Sequence, residues 1–522
     1  MFNIIRRPVL RVNYLKVLLI QPPKYFWPYI SADDNFLVPQ ALPCLGAVAR
    51  DAGWDVKLID CSPMKLGWKS LAALIESENP DVVGVGENHA TYSHESMKAL
   101  KLAKELLPGC ITIAGGSHFT NLPDETLDNN YVDVIVMREG EATFRELLDN
   151  IGSGATDFSG VRGVAFRDGE TVKVTEPQPL VDDLDSLPLP SYDLMPMSLY
   201  GTSRYLFSPG GCTIHHSRGC IANCKFCAWW RQMADVTSEN GNIKLKPRWR
   251  TKSVDYTMEE VRLLAEKFNK RCLVFVDEYW NRDPKWSAEF CDRLTEENLG
   301  VEWFAFMRAD GVLRDEKLGV LEKMVRSGLV HVSIGVERVE QEELKKMGKS
   351  GYSESTAIEC FHMLRDKYPT VFRQGTFIVG VREETRESML AQSDFAKKLD
   401  LDYPGFHPIT PVPGTDFWNE AESKNWIEVR DFIEYDWMTP IISSKHLSRD
   451  QIEELLITLS KRFVTPRWFL RGITSRGRYK RNMYIWWLIV TIRIVWDSIR
   501  NFVWPLKTEI YSGMVKPEWY DD

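Results

Sequence analysis

The chain has 522 residues, too many for one ordinary domain, and its length predicts roughly two to four domains. Apolar residues make up 44% and charged residues 26%, so the chain can bury large cores and is not a disordered segment. An excess of Asp+Glu (73) over Lys+Arg (65) argues against nucleic acid as a partner. The 10 cysteines lie mostly alone in apolar runs and no cleavable leader is evident, which indicates a reducing cytoplasm.

Five short, continuously apolar and β-branched runs alternate with helical patterns in the first part of the chain. Strands are predicted at 16–20, 55–60, 81–86, 111–116 and 132–137. Helices are predicted at 39–52, 67–78, 95–107, 123–129 and 142–151. Strands that are covered on both faces have such unbroken apolar runs, so this part predicts a Rossmann-like, doubly wound parallel sheet over 14–151.

The alternation stops over 152–204, which predict a small hairpin and then a proline-rich linker, "DDLDSLPLPSYDLMP". It resumes over 205–415, with strands predicted at 211–217, 272–277, 301–307, 330–336, 374–380 and 404–410. Helices are predicted at 257–268, 285–298, 315–327, 354–366 and 385–399. Six βα units predict a partial (βα)6 barrel whose functional groups gather where the strands end. The rest, 416–522, is mostly helical in pattern.

Three cysteines stand close together just after the first barrel strand, in "SRGCIANCKFCAWW". Cys220, Cys224 and Cys227 supply three thiolates, whereas a [4Fe–4S] cube normally takes four cysteine ligands. One iron is then left without a protein ligand and can bind a substrate or cofactor. Phe226, between the second and third cysteines, is placed to shield such a cluster from water.

Other metal sites are compatible with the same cysteines. Cys212, His215 or His216 could supply a fourth ligand, giving a zinc site or an electron-transfer cluster. Zinc sites more often pair two CxxC units, which this loop lacks. A non-catalytic iron–sulfur electron carrier or redox sensor therefore stays open as the alternative function.

The pattern CxxxCxxC, with an aromatic residue before its last cysteine and at the start of a βα barrel, resembles the radical SAM superfamily. The resemblance implies that the three cysteines hold a [4Fe–4S] cluster whose open iron binds S-adenosylmethionine (SAM). A reductant such as ferredoxin or flavodoxin then drives cleavage of SAM to a radical that removes hydrogen from an unreactive carbon. Beside Phe226, the resemblance assigns cofactor contacts to residues at successive strand ends: Asp277, Glu278, Arg308, Glu337, Gly380 and Glu383 (or Glu384), with His407 in the segment that closes the sixth strand.

The first domain resembles the cobalamin-binding domain of the class B radical SAM enzymes. Its loop "AGGSHFT" implies that Gly115, Gly116, Ser117 and His118 lie near the corrin. Cobalamin domains that place a histidine on cobalt carry Asp-x-His-x-x-Gly, and none of the nine histidines here follows an Asp by two places. The expectation is cobalamin without a histidine on cobalt. The alternative for His118 is a loop hydrogen bond.

The tail combines a basic segment, 467–481, with an apolar helical pattern. The apolar side chains predicted to share one face are Ile485, Leu488, Ile489, Ile492, Val495, Trp496, Ile499, Phe502 and Val503. Either this helix lies on the inner face of the cell membrane, or it packs against the barrel. Apart from that peripheral contact, the expected location is the cytoplasm.

The domain order and "FIEYDWMTPIISSKHLSRDQIEEL" (432–455) resemble the anaerobic magnesium-protoporphyrin monomethyl ester oxidative cyclase group, over roughly 15–480. The resemblance implies a large hydrophobic substrate, either a lipid or a tetrapyrrole. Hydrogen abstraction would lead to oxidative ring closure and a new C–C bond, or to cobalamin-dependent methylation.

Overall fold

The computed structural model describes residues 15–26, 36–239, 242–349, 352–503, 510–511 and 514–522. Its first sheet has seven strands in the order β2-β1-β3-β4-β5-β6-β7. They are β1 (Lys16–Gln21), β2 (Asp55–Asp60), β3 (Val82–Gly86), β4 (Ile111–Gly115), β5 (Val134–Val136), β6 (Val164–Asp168) and β7 (Thr171–Val174). The first five are parallel, as predicted. The hairpin predicted in the linker extends this sheet, because β6 pairs antiparallel with β5.

The second sheet contains six parallel strands in the order β17-β16-β15-β14-β13-β8. They are β8 (Gly211–Ile214), β13 (Cys272–Phe275), β14 (Glu302–Met307), β15 (Leu329–Glu337), β16 (Phe372–Val379) and β17 (Tyr403–Pro408). Two ribbons lie outside it, β9 (Ser217–Gly219) with β12 (Trp249–Thr251), and β10 (Asp235–Glu239) with β11 (Asn242–Lys246). A further hairpin joins β18 (Ile510–Tyr511) to β19 (Met514–Val515). The predicted α/β fold class is confirmed.

Helices cover both sheets. Those of the first domain are α1 (Ala41–Asp51), α2 (Cys61–Met64), α3 (Trp68–Glu78), α4 (Ser93–Leu106), α5 (Ser117–Asn121), α6 (Pro123–Thr126) and α7 (Glu141–Gly152). Those of the barrel are α8 (Trp229–Gln232), α9 (Val254–Arg262), α10 (Pro284–Glu297), α11 (Ala309–Lys317), α12 (Val320–Arg326), α13 (Gln341–Lys346), α14 (Glu354–Lys367) and α15 (Arg386–Lys398). The last region contains α16 (Asp416–Ser423), α17 (Arg449–Phe463), α18 (Pro466–Ile473) and α19 (Arg478–Val503).

Helix α19 closes the amino end of the barrel. The Tyr479 hydroxyl lies 3.0 Å from Nδ1 of His331 near the start of β15, and Lys480 pairs with Asp402 just before β17 at 2.8 Å. Tyr479, Met483, Trp486 and Val490 are buried. For this part of the helix, the alternative in which it packs against the barrel is confirmed.

The predicted apolar face is not the face that is buried against the barrel, since Ile492 is 58% exposed and Trp496 is 65% exposed. The side chains of Val495, Ile499, Phe502 and Val503 lie outside the described residues. Within the described part of the chain, no helix combines the length and the apolarity that crossing a membrane requires.

Three apolar clusters form the interior. The largest joins one face of the first sheet to the barrel, and the second fills the other face of the first sheet. The third is small and lies where all parts of the chain converge: Ala90 comes from the first domain, Val381 and Ile409 follow barrel strands, and Tyr435 and Ile441 come from the last region. This third cluster therefore marks the carboxyl mouth of the barrel.

Candidate functional site

The three cysteines lie on the loop that follows β9, and each thiol is half-buried. Burial is the main influence on all three thiols, and it raises the pKa of Cys227 to about 12. Lys349 opposes the rise in the pKa of Cys224, and the three thiols also raise one another's pKa values where they approach. A set of thiols that resists ionisation in this way needs metal to hold it as thiolates.

Backbone groups just before the cysteine loop are held by two acidic residues. Asp277 accepts hydrogen bonds from the Ser217 backbone N–H at 2.6 Å and from the His216 backbone N–H at 3.1 Å. Glu278 accepts one from the Gly219 backbone N–H at 3.0 Å. Burial raises the pKa of Asp277 to about 7, and its second carboxylate oxygen is buried without a partner. Both side chains therefore position the loop.

The three suggested fourth ligands make other contacts in the structure. Cys212 is fully buried in β8, with its Sγ 3.4 Å from the Thr213 carbonyl. The His216 ring stacks on Trp286 at 3.8 Å, and the Nε2 of His215 accepts a hydrogen bond from Arg218.

The geometry of the site does not suit a single metal ion. Among the described residues, no three His, Cys, Asp or Glu side chains converge on a point that one metal ion would occupy. A [4Fe–4S] cube binds each thiolate through a different iron and needs no such convergence. The three cysteines therefore suit a cluster better than a zinc ion.

Two charged residues from neighbouring strands approach the loop. Arg308 follows β14, pairs with Asp310 at 3.0 Å and influences the pKa values of Cys220 and Cys224. Glu337 ends β15 at an irregularity in the strand, and its φ of 61° is rarely adopted by a residue with a side chain. Its carboxylate pairs with Lys349 at 2.6 Å. Strain of this kind often occurs at functional positions.

The predicted cofactor-contact residues after β16 separate into a buried and an exposed set. Gly380, with a φ of 74°, donates its backbone N–H to Glu384 at 3.0 Å, and Glu384 is buried against Arg338. The side chain of Glu383 is 48% exposed and pairs with Lys445 on the surface. Of the two glutamates that the sequence left open, Glu384 is the one inside the molecule.

Phe226 packs against the third apolar cluster rather than against the barrel core. His407, near the end of β17, is joined to the last region through its Nδ1, which lies 3.2 Å from the Trp437 carbonyl oxygen. The indole N–H of Trp437 in turn faces Nδ1 of His89 at 3.4 Å. Residues of all three regions thus meet beside the cysteine loop.

The glycine loop of the first domain follows β4. Gly116 has a φ of 98°, and a Cβ there would lie 2.4 Å from the Glu87 carbonyl oxygen, so only glycine fits. The Ser117 backbone N–H donates to the Asn88 side chain at 3.0 Å. His118 is 7% exposed, and burial lowers its pKa to about 4, so its ring is neutral at neutral pH.

Several buried polar atoms near the carboxyl ends of the strands of the first sheet have no hydrogen-bond partner among the described residues. They are Asp60 Oδ1 at the end of β2, Glu95 Oε2 and Ser96 Oγ in the first turn of α4, and His118 Nδ1. Such orphaned groups are rare and usually meet a ligand or water. Cobalamin, which carries many amide groups around a flat ring, fits this combination of glycine backbone and unpaired polar atoms.

The glycine loop and the cysteine loop contact each other. Gln232, in the helix that follows the cysteines, donates to the Ser117 hydroxyl at 3.1 Å. Arg138, which follows β5 with a φ of 64°, donates to the Ala234 carbonyl. The two predicted cofactor loops therefore share one interface.

Four buried charges hold that interface, and we name them the interface tetrad: Arg218, Arg250, Glu139 and Glu141. Arg218 pairs with both glutamates at 2.7 Å, and Arg250 pairs with Glu139 at 2.9 Å. Every one of these side chains is at most 10% exposed. Sequence reasoning missed the tetrad, although an arginine two residues before Cys220 and the acidic pair after β5 were visible in the sequence.

Two family models match the chain. A B12 binding domain matches residues 30–148, and the radical SAM superfamily matches residues 214–395. An uncharacterized methyltransferase of Pyrococcus horikoshii is 30% identical over 450 residues, covering 85% of this chain and 91% of its own. The anaerobic magnesium-protoporphyrin IX monomethyl ester cyclase of Rubrivivax gelatinosus is 27% identical, covering 82% and 74%.

Among solved structures, the radical SAM methyltransferase TsrM of Kitasatospora setae superimposes with a TM-score of 0.67. The match covers 93% of this chain and 100% of that one at 14% identity, so it shows the shared fold alone.

The fold and the site define a radical SAM enzyme with an N-terminal B12 binding domain. The chain belongs to the cobalamin-dependent radical SAM family, together with methyltransferases and the anaerobic cyclase. The three predicted cofactors, a [4Fe–4S] cluster, SAM and cobalamin, are confirmed as those of this family.

Proposed function

We propose that this enzyme transfers a methyl group to an unactivated carbon of a large hydrophobic substrate of the lipid or tetrapyrrole class. The observation that carries the proposal is the direct contact between the glycine loop and the cysteine loop, through Gln232 and Ser117. When bound, SAM at the open iron supplies a hydrogen-abstracting radical, and cobalamin supplies the methyl group. A shared interface lets one substrate carbon reach both groups.

The residues of this chain would bind and orient the cofactors. Cys220, Cys224 and Cys227 would hold the cluster. Glu278, Arg308, Glu337 and Gly380 would surround SAM, with Glu384 fixing the glycine turn. Asp277 would act indirectly, since its hydrogen bonds to the backbone of residues 216 and 217 hold the segment before the cysteine loop in place.

Apolar surface near the site supports a hydrophobic substrate. Val276 and Phe306, at the carboxyl ends of β13 and β14, are 41% and 39% exposed. Large apolar side chains that solvent reaches at the mouth of a barrel are typical of a site for an apolar ligand. The third apolar cluster, with Phe226 packed against it, borders the same mouth.

Oxidative ring closure is the second candidate. It is favoured by the 27% identity to the Rubrivivax gelatinosus cyclase, which is named for its action on a magnesium-protoporphyrin ester. Both candidates use the same cluster and SAM, and they differ in the fate of the substrate radical.

The products of SAM separate the two reactions. Purified enzyme would be reconstituted without oxygen with iron, sulfide and hydroxocobalamin, then given SAM, a reductant such as flavodoxin, and lipid or tetrapyrrole fractions. Methylation predicts both S-adenosylhomocysteine and 5′-deoxyadenosine, and ring closure predicts 5′-deoxyadenosine alone. A Cys224→Ala enzyme is the control. If the reconstituted wild type forms neither product from SAM, the proposal fails.

Peripheral membrane contact through the tail stays a prediction. The exposed Ile492 and Trp496 support it, but Arg471, Arg478 and Lys480 are paired with acids of the barrel. Those paired cations are not free for anionic lipid headgroups. Cosedimentation with anionic vesicles, compared for wild type and Trp496→Ser, would measure the remaining contribution.

A further inference from the structure

The crevice of the first domain lies between β1 and β3. In this sheet β2 lies on one side of β1 and β3 on the other, so the strand order reverses at β1. Ligands of doubly wound sheets bind at such a switch point, beyond the carboxyl ends of the strands. The part of the segment after β1 that the structure describes runs to Phe26, and Glu87 follows β3.

Residues on both sides of this crevice are joined. Glu87 is buried, and its carboxylate pairs with Lys24 at 2.6 Å. It also accepts hydrogen bonds from the backbone N–H groups of Asn88 and His89, both at 2.9 Å. The orphaned Glu95 Oε2 lies in the first turn of α4, and burial raises the pKa of Glu95 to about 7. The crevice thus combines a fixed charge pair with unsatisfied polar atoms.

The far end of the chain packs against this crevice. We name residues 514–522 the C-terminal cap. Val515 forms a two-bond bridge with Phe26, with N···O distances of 3.2 and 2.9 Å. Met514 is 1% exposed, and its sulfur accepts a hydrogen bond from the Tyr92 hydroxyl at 3.9 Å. The cap therefore contacts the segment after β1 and the turn after β3 at once.

A second set of contacts anchors the cap to α3. The backbone N–H groups of Trp68 and Ser70 donate to the Tyr520 and Asp522 carbonyls, at 3.0 and 2.9 Å. The Tyr520 ring is 6% exposed and lies 4.8 Å from Tyr25 and edge-on to Trp68 at 5.9 Å. Tyr520 is also part of the apolar core on that face of the sheet.

We propose that the C-terminal cap completes the cobalamin site by covering the β1–β3 crevice and slowing release of the cofactor. This proposal rests on the cobalamin binding of the proposed function. It gives a part in that binding to a segment outside residues 30–148, which the B12 binding domain model matches. A cover that must open before the cofactor leaves acts mainly on the dissociation rate.

Gly67 offers a way to displace the cap without touching the crevice. A Cβ at Gly67 would lie 2.1 Å from the Trp519 carbonyl oxygen and 2.6 Å from the Asp522 backbone nitrogen. Its φ of −86° is open to alanine, so a Gly67→Ala chain meets only the cap. The control is Gly53→Ala, in the same domain: its φ of 89° strains the backbone, but nothing lies within 4 Å of the added carbon, so the change does not touch the cap.

The test measures cobalamin release from full-length enzyme, Gly67→Ala, Gly53→Ala, a chain ending at residue 513, and Gly67→Ala in that shortened chain. Each is loaded with hydroxocobalamin, and the cofactor that stays bound is followed by absorbance after rapid gel filtration. We expect about tenfold faster release from Gly67→Ala and from the shortened chain. The glycine change should add nothing once the cap is absent, and Gly53→Ala should release at the wild-type rate.

Each other result bears on the cap directly. Unchanged or slower cobalamin release from both Gly67→Ala and the shortened chain would overturn the proposed role of the cap. Faster cobalamin loading of the shortened chain, with unchanged release, would also overturn it, because the segment would then block the crevice. If the shortened chain does not fold, Gly67→Ala alone decides. Iron content and SAM cleavage are measured in parallel. Wild type that cleaves SAM but binds no cobalamin would overturn both this proposal and the methyl transfer, whereas a failed cap leaves methyl transfer standing.

Discussion

The cysteine loop and the proposed cobalamin crevice would hold their cofactors in different ways. The loop takes its three ligands from eight consecutive residues, Cys220 to Cys227. The crevice is assembled from the segment after β1, the turn after β3, the glycine loop, the first turn of α4 and the C-terminal cap. A metal site can be local because thiolates bind strongly, whereas a large macrocycle needs many weak contacts from distant parts of a chain.

The sharpest way to test the local site is to remove one of its ligands. Replacing Cys220, Cys224 or Cys227 by alanine should abolish the cluster and all SAM cleavage, because no other thiol is near. Cys212→Ala is the matched control and should keep the cluster, since Cys212 is buried in β8. Iron and sulfide content of the reconstituted proteins measures this. Loss of the cluster in the Cys212 variant would support the electron-carrier alternative.

The junction between the two sites depends on the interface tetrad. Arg218→Gln leaves Glu141 buried without its partner, and breaking a buried pair in this way costs about 3–5 kcal/mol. Urea unfolding would report the change in the free energy of unfolding. Arg50→Gln breaks the exposed Arg50–Asp193 pair and should cost at most about 1 kcal/mol. Equal costs in both variants would contradict the role given to the tetrad.

The assembled site should be sensitive at its glycine loop. Gly116→Ala combines a positive φ with a contact of 2.4 Å to the Glu87 carbonyl, and we expect a loss of about 2–3 kcal/mol together with weakened cobalamin binding. Gly53→Ala, whose φ of 89° is similar but whose surroundings are open, isolates the conformational part. Cobalamin titration of both proteins provides the measurement, and equal binding would place the corrin elsewhere.

The smallest expected effect is a pH dependence in the same loop. Burial lowers the pKa of His118 from 6.5 to about 4, so the folded protein binds this proton less readily than the unfolded chain. The contribution to stability is present above pH 6.5 and is lost as the pH falls towards 4, by about 3 kcal/mol, so little of it is lost at neutral pH. His118→Gln should flatten this part of the stability curve, and the exposed His94→Gln should not. An unchanged curve for His118→Gln would show that the ring is not buried.

The same contrast explains what could be predicted. The strands of both sheets and the cysteine motif each depend on consecutive residues, so the periodicity and spacing of the sequence were enough to predict them. The interface tetrad and the C-terminal cap depend on pairs such as Arg218 with Glu139, or Phe26 with Val515, which only the folded chain brings together. The choice between Glu383 and Glu384 needed the direction of each side chain, which a turn after a strand does not reveal. Which face of α19 is buried could not be read from the apolar pattern, because polar partners in the barrel, Asp402 and His331, help to set it.

Because α19 covers the amino end of the barrel, we expect ligands to reach the interior from the carboxyl end. SAM must enter, and the spent nucleoside and methionine must leave, through the carboxyl mouth that the first domain and the last region also border. Entry of a fresh SAM molecule therefore has to wait for departure of the old one, and we expect 5′-deoxyadenosine to act as a competitive inhibitor against SAM. Exchange of SAM and its products through the carboxyl mouth, rather than bond cleavage, would then limit the rate of repeated turnovers.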